Sequence, residues 1–421
     1  MVVDHSALRP AWSPNGWRIA YCGQWEPSQG GRRNDVFTVR ADGGEPVPVT
    51  DNVHFESYPA WSQDGRQLYF VSDRGGSRDL WRVPIDERTG KVLGSPEPLT
   101  SGTQVDRFSL SNDGGRILYG SSTHAYDLMS VPFDPVAERV VGTPASITPP
   151  GLQALHPSVS PDGEWIAFDA DFGRPGYKAI GIIRTDGSDL RQLTDGKYRD
   201  RYPEWSPDGQ RLTFWGNRSG TAQAWIINSD GSGLRQLTDM HDQEFLSPVW
   251  SPDGSQVALT TLDLETTYLF HIDKVLSEEP LEELPPFGDS DIQLSAYSWS
   301  SDGTRLAFEA LDREARREVG IVLYSFDSRS YETLTEFGGT PRWLSDGRRI
   351  LFIDWVDSDL RIFIIDTETG KHHEMLSAES LAIAPDRIEL WPTLAPDNRS
   401  IYIERLHTEA DIWMLTLGGE E

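Results

Sequence analysis

Cysteine is almost absent from this 421-residue chain: Cys22 stands alone, so no intrachain disulfide can form. Basic residues are scarce too. Lys and Arg number 38 against 66 Asp and Glu, a formal net charge of −28. A surface of that sign repels phosphate backbones and anionic headgroups, so neither nucleic acid nor a membrane surface is an expected partner. No run approaches 18 apolar residues, and no membrane-spanning helix is expected. The start, Met1-Val-Val-Asp-His-Ser6, has no basic segment leading into an apolar one, so no secretory leader is read there. The expected compartment is therefore the cytoplasm, or outside it if the chain is a fragment of a membrane-anchored protein.

Catalytic signatures are missing as well. There is no Gly-x-Ser-x-Gly elbow, no phosphate loop, no paired-Cys metal motif and no His-Glu-x-x-His. No cofactor and no metal are expected. Composition changes nowhere abruptly, which predicts one domain over residues 1–421.

What the chain does have is a repeat. Pro203-Glu-Trp-Ser-Pro-Asp-Gly-Gln-Arg-Leu-Thr-Phe214 reads as a strand, a tight turn and a second strand. Proline presets the turn, Asp bonds its own backbone and Gly takes the positive φ. The same pattern ends at Gly16, Gly65, Gly114, Gly163, Gly209, Gly254, Gly303, Gly347 and Asn398, in steps of 44 to 51 residues. A period near 40–50 built from short strands predicts an all-β propeller of four-stranded antiparallel blades. Nine motifs imply eight or nine blades in a single ring. In the fifth copy the strands are expected at 203–206, 211–215, 224–228 and 234–238, the last closing on Leu237-Thr238. The third and ninth copies take Leu128–Val131 and Ile412–Leu415 as their third strands. Glu278–Asp291 is expected as an exposed loop leaving the sixth blade.

Between Pro and Trp of the first strand stand Ala11, Ala60, Ser109, Ser158, Val249, Ser298 and Thr393, all modest in size. Glu204 and Arg342 break that rule and are expected to reach the channel or to be buried with partners. Closure is expected mainly by packing between blade faces, unless the chain was cut from something longer. Gly209→Val is expected to cost far more than Gly233→Val, because Gly209 serves the inner hairpin.

The motif Pro-x-Trp-Ser-Pro-Asp-Gly-x-x-Ile/Leu-Ala-Phe and the closing Leu-Thr resemble the WD40-like repeats of the TolB-like propeller family. His156–Phe168 and Tyr202–Phe214 carry the resemblance most clearly, and it covers essentially the whole chain. The ending Asn398–Leu417 resembles the last blade of propellers linked to bacterial kinases and regulators. The resemblance implies non-enzymatic binding, as the sensing or scaffold part of a bacterial regulatory system. Its alternative is a metal-assisted polysaccharide lyase or hydrolase, since lyase propellers bind metal through channel-facing His.

His5, His54, His156 and His241 fall in the connectors that lead toward the channel mouth, with Glu56, Arg107, Arg201, Asp242 and Glu244. Adding the two exceptions, the candidate partner-binding residues are His54, Glu56, Arg107, His156, Arg201, Glu204, His241 and Arg342. Mixed charge beside Phe55, Tyr58, Tyr198 and Tyr202 suits a protein or peptide partner. Asn217 and Arg218, in a turn between second and third strands, are expected to lie away from the channel.

Overall fold

The hairpin of the fifth copy shows how the motif folds. Trp205 pairs with Leu212 and Glu204 with Thr213 across the turn. The Ser206 hydroxyl donates to Asp208 Oδ1 at 2.5 Å and accepts the Arg211 N–H at 2.9 Å. Asp208 Oδ1 also accepts the Gln210 N–H at 3.0 Å. Gly209 closes the turn onto the Ser206 carbonyl at 2.9 Å with φ +68°. The turn thus meets these polar groups within five residues of sequence. Beyond the turn, Phe70, Phe168, Phe214, Phe308 and Phe352 occupy one position of the second strands and are fully buried. Each such ring contributes about 2–3 kcal/mol on leaving water.

The closing threonine has a specific role. The fourth strand of the fifth copy is only Arg235–Gln236, too short to complete a ladder. Thr238 Oγ1 continues it, accepting the Ala224 N–H at 3.1 Å. Thr50, Thr100, Thr148, Thr194 and Thr335 do the same for Val36, Leu80, Leu128, Ile180 and Ile321, at 2.9 to 3.1 Å.

The computed structural model describes residues 6–25, 33–50, 54–172, 177–240, 243–246, 248–273, 282–288, 291–315, 317–356, 359–377 and 392–417. Every regular element among them is a strand. The strands form seven four-stranded sheets and one six-stranded sheet, so nine motifs occupy eight sheets. The third and ninth motifs share the large sheet, through the long strands Arg116–Asp134 and Ser400–Thr416. This revises two assignments. Leu128–Val131 lies with the ninth motif, where Phe133 donates to the Arg399 carbonyl at 2.8 Å. Ile412–Leu415 lies with the third, where Leu417 donates to the Gly115 carbonyl at 2.9 Å. Glu282–Glu283, inside the segment expected as a loop, is the fourth strand of the sixth copy.

The chain divides into two compact units, one of residues 1–124 and 408–421, the other of residues 125–407. In the first unit, the first two sheets pack through Ala20, Val36, Trp61, Leu68 and Phe70. Tyr69, Leu80, Ile117, Leu415 and Leu417 join the second sheet to the third motif. Trp12 is 63% exposed, whereas Trp61, at the same motif position, is 7% exposed. In the second unit the sheets of copies four to eight pack in sequence. The shared sheet contributes Leu128, Ala395 and Tyr402 to the fourth copy on one side. On the other it contributes Met129, Phe133, Ile401 and Ile403 to the eighth. Six sheets thus make six apolar interfaces.

Candidate functional site

Proline precedes the x position in most first strands, and where the residue before it is among the described residues it adopts positive φ. His156, Tyr202 and Thr340 have φ +53°, +54° and +49°. At each the pairing register shifts, leaving a bulge. Left-handed backbone before proline is disfavoured, and bulges re-aim side chains. In the second unit the re-aimed His156 and Tyr202 line one pocket with Glu204, Tyr297 and Arg342. It is a small, half-open recess with a cavity volume of about 20 Å³. Tyr297 stands where most copies have proline, and its strand bulges there between Ala296 and Ser298.

The floor is ionic. Arg342 Nη1 donates to Glu204 Oε1 at 3.2 Å and to the Tyr297 carbonyl at 2.9 Å. The Ser158 hydroxyl donates to Glu204 Oε2. Glu204 and Arg342 come from strands of the fifth and eighth copies, with two sheets between them in the order of packing. The two exceptions to the small-residue rule therefore answer one another.

One wall is built on Asp169, fully buried in the second strand of the fourth copy. His156 Nδ1 lies 2.6 Å from Asp169 Oδ1, which also accepts the Tyr202 N–H at 3.1 Å. Arg201 Nε is 3.7 Å from Asp169 Oδ2. Burial pushes the Asp169 carboxyl up, but His156, Arg201 and Lys178 outweigh it and hold the group below its ordinary value. The His156 ring packs on Tyr202 at 3.9 Å between centroids. On the opposite wall, burial first and the nearby Glu309 second push the Tyr297 phenol well above its ordinary range. Burial also raises Glu309, which accepts the Thr340 N–H at 2.8 Å. Glu318 rises to about 7, chiefly through burial and then through Glu309 and Asp354.

The eight candidate residues thus separate. His156, Arg201, Glu204 and Arg342 converge in the second unit, all on strands, where sequence placed Glu204 and Arg342 but not His156 and Arg201, which it put in connectors. His241, like His5 and Asp242, lies outside the described residues. His54, Glu56 and Arg107 belong to the first unit. There His54 lies 3.6 Å from Asp73, Arg107 is exposed on its strand, and Glu56 is buried against Arg74 at 2.8 Å. Burial raises Glu56 to about 7 although Arg74 opposes it. Arg218, expected at a remote turn, makes the equivalent structural pair with Asp200, Nε to Oδ1 at 3.0 Å. Sequence reasoning missed Asp169 and Tyr297. An aromatic in the proline position was the available signal for Tyr297; Asp169 gave none, standing in an ordinary strand.

Among the described residues no three His, Cys, Asp or Glu side chains are grouped as a metal could use them. No helix there is long and apolar enough to cross a membrane, which says nothing of β-barrels.

Residues 143–288 match the family model of the TolB beta propeller domain. An uncharacterised protein of Agrobacterium fabrum is 28% identical over 208 residues, 49% of this chain and 64% of that protein. Dipeptidyl-peptidase 5 of Porphyromonas gingivalis is 27% identical over 324 residues, 62% of this chain and 46% of the peptidase. The chain thus spans less than two thirds of either relative. A solved structure assigned as TolB from Agrobacterium tumefaciens aligns with a TM-score of 0.51 at 15% identity, covering 68% of this chain and 99% of that one, a likeness of fold alone. The family model matched over residues 143–288, the nine turn motifs and the four-stranded antiparallel sheets make this chain similar to TolB-like β-propellers.

Proposed function

We propose that residues 125–407 form a six-bladed ring whose central pocket binds a peptide or protein segment without chemical turnover. The chain would serve as the sensing or scaffold part of a bacterial regulatory system. The carrying observation is the Glu204–Arg342 pair, 3.2 Å long between residues 138 apart in sequence, at the base of a pocket lined by His156, Tyr202 and Tyr297. The six interfaces among six sheets support the ring. Aromatic rings beside a half-buried ion pair are the composition of protein-recognition hot spots. A pool of short peptides bearing a photoreactive group tests the reading. Crosslinks should map to Tyr202 and Tyr297, and crosslinks confined to His54 and Arg107 would overturn it.

A second reading, a lyase or hydrolase, is favoured by the His156–Asp169 couple, since a carboxylate that fixes an imidazole is also how a general base is held. The peptidase relative is consistent with it, although this chain spans 46% of that protein. Turnover of peptide or oligosaccharide that His156→Gln abolishes would put this reading first.

A further inference from the structure

The base of the second-unit pocket leaves the Nε of a guanidinium without a partner among the described residues. Arg342 uses Nη1 twice, for Glu204 and for the Tyr297 carbonyl. Its Nε is buried and finds no hydrogen-bond partner among the described residues. Nε and Nη2 share one side of the planar fork, the side that takes a carboxylate through two parallel hydrogen bonds. Glu204 is already engaged at both oxygens, by Arg342 and by the Ser158 hydroxyl. The pocket base therefore presents donors. An incoming ammonium would compete with Arg342 for Glu204, whereas an incoming carboxylate meets the Nε–H, which has no partner among the described residues.

Entry is constrained too. The Glu204–Arg342 pair bridges the pocket from strand Asp200–Trp205 to strand Gly339–Trp343. The acids beside Tyr297 do not oppose an anion strongly, since burial holds Glu309 and Glu318 toward their neutral forms. Tyr202 and Tyr297 supply aromatic surface for whatever carries the carboxylate.

We infer that the pocket takes its ligand by a carboxylate, held two-pronged on Nε and Nη2 of Arg342 between Tyr202 and Tyr297. The inference rests on the reading of this pocket as the ligand site. The carboxylate is either the C-terminus of a peptide or that of a small aromatic acid, and the test separates them.

Calorimetric titration of the full chain uses three probes: an N-acetylated tripeptide pool with free C-termini, the same pool amidated, and benzoate. The free-acid pool should bind at least tenfold more tightly than the amidated pool. Benzoate binding as tightly as the free-acid pool assigns the small acid, and weaker benzoate binding assigns the C-terminus. Arg342→Lys keeps the charge but loses the fork, and should weaken the free-acid pool at least tenfold. Glu204→Gln leaves Arg342 in place and removes a competing anion, so affinity should rise; it remains informative if the lysine variant folds poorly. Equal affinity for acid and amide overturns the carboxylate inference and leaves the pocket reading intact. Binding that survives both variants unchanged overturns it as well. No binding by any of the three probes, with photo-crosslinks mapping outside Tyr202 and Tyr297, overturns the pocket reading itself.

Discussion

At the scale of single residues, backbone conformation corrects an expectation about glycine. Gly209 and Gly233 have φ +68° and +69°, so an inner and an outer turn make the same demand. A Cβ on Gly209 would touch Pro161 at an ordinary 3.6 Å, while on Gly233 it would press the movable Asn228 amide at 2.6 Å. Valine at either position should cost about 1–3 kcal/mol for a β-branched residue in left-handed backbone. Thermal melts should show similar losses, and a loss at Gly209 alone would restore the expectation that the inner turn dominates. Glu318 gives a pH prediction. Its folded carboxyl titrates near 7, above the usual 4.3 or so of an unfolded glutamate. The native state therefore holds an extra proton between those values. That stabilisation is complete below the unfolded value and is lost as pH rises through about 7. Glu318→Gln should flatten the fall in melting temperature between about pH 5 and pH 8. Calorimetry giving parallel curves for the two proteins would contradict this.

At the scale of the element, the inner hairpin was legible because its information is local. Ser206, Asp208 and Gly209 satisfy the turn within a few residues, and their recurrence announced the blade. The short fourth strand was legible only as a Leu-Thr habit. Thr238 carries the reason, for it accepts the Ala224 N–H and donates to Gln223 Oε1 at 2.8 Å. Thr238→Val keeps shape and removes both bonds, leaving the buried Ala224 N–H unmet while Gln223 Oε1 keeps the Met240 N–H at 3.3 Å, at a cost of about 1–3 kcal/mol. Thr238→Ser should recover most of it. Denaturant titration of the three proteins checks the order, and a valine variant as stable as wild type would show that packing alone closes the blade. The bulge was not legible, because a residue before proline reads as extended in sequence. Its left-handed turn at His156 and Tyr202 is imposed by the sheet, and with it the direction of both side chains.

At the scale of the whole molecule, the shared sheet matters most. Strand Ser400–Thr416 contributes residues to both compact units. Deleting residues 395–421 removes Ile401 and Ile403 from contact with Met129 and Phe133, and Leu415 from the first-unit core. Repeat proteins are held by such nearest-neighbour interfaces. The truncated chain should aggregate or bind a hydrophobic dye, and a soluble product with one cooperative melt would show that the last motif is dispensable. The sequence by itself determined the all-β class, the motif period, the turns and the two odd charges Glu204 and Arg342, because each is written within one repeat. Tertiary structure alone decided which motif completes which sheet, and that His156 and Arg201 meet at the buried Asp169. It also decided that Glu204 and Arg342 meet each other. Residues 138 apart in sequence come within 3.2 Å only once the intervening sheets have packed, and no local rule of chain chemistry encodes that distance.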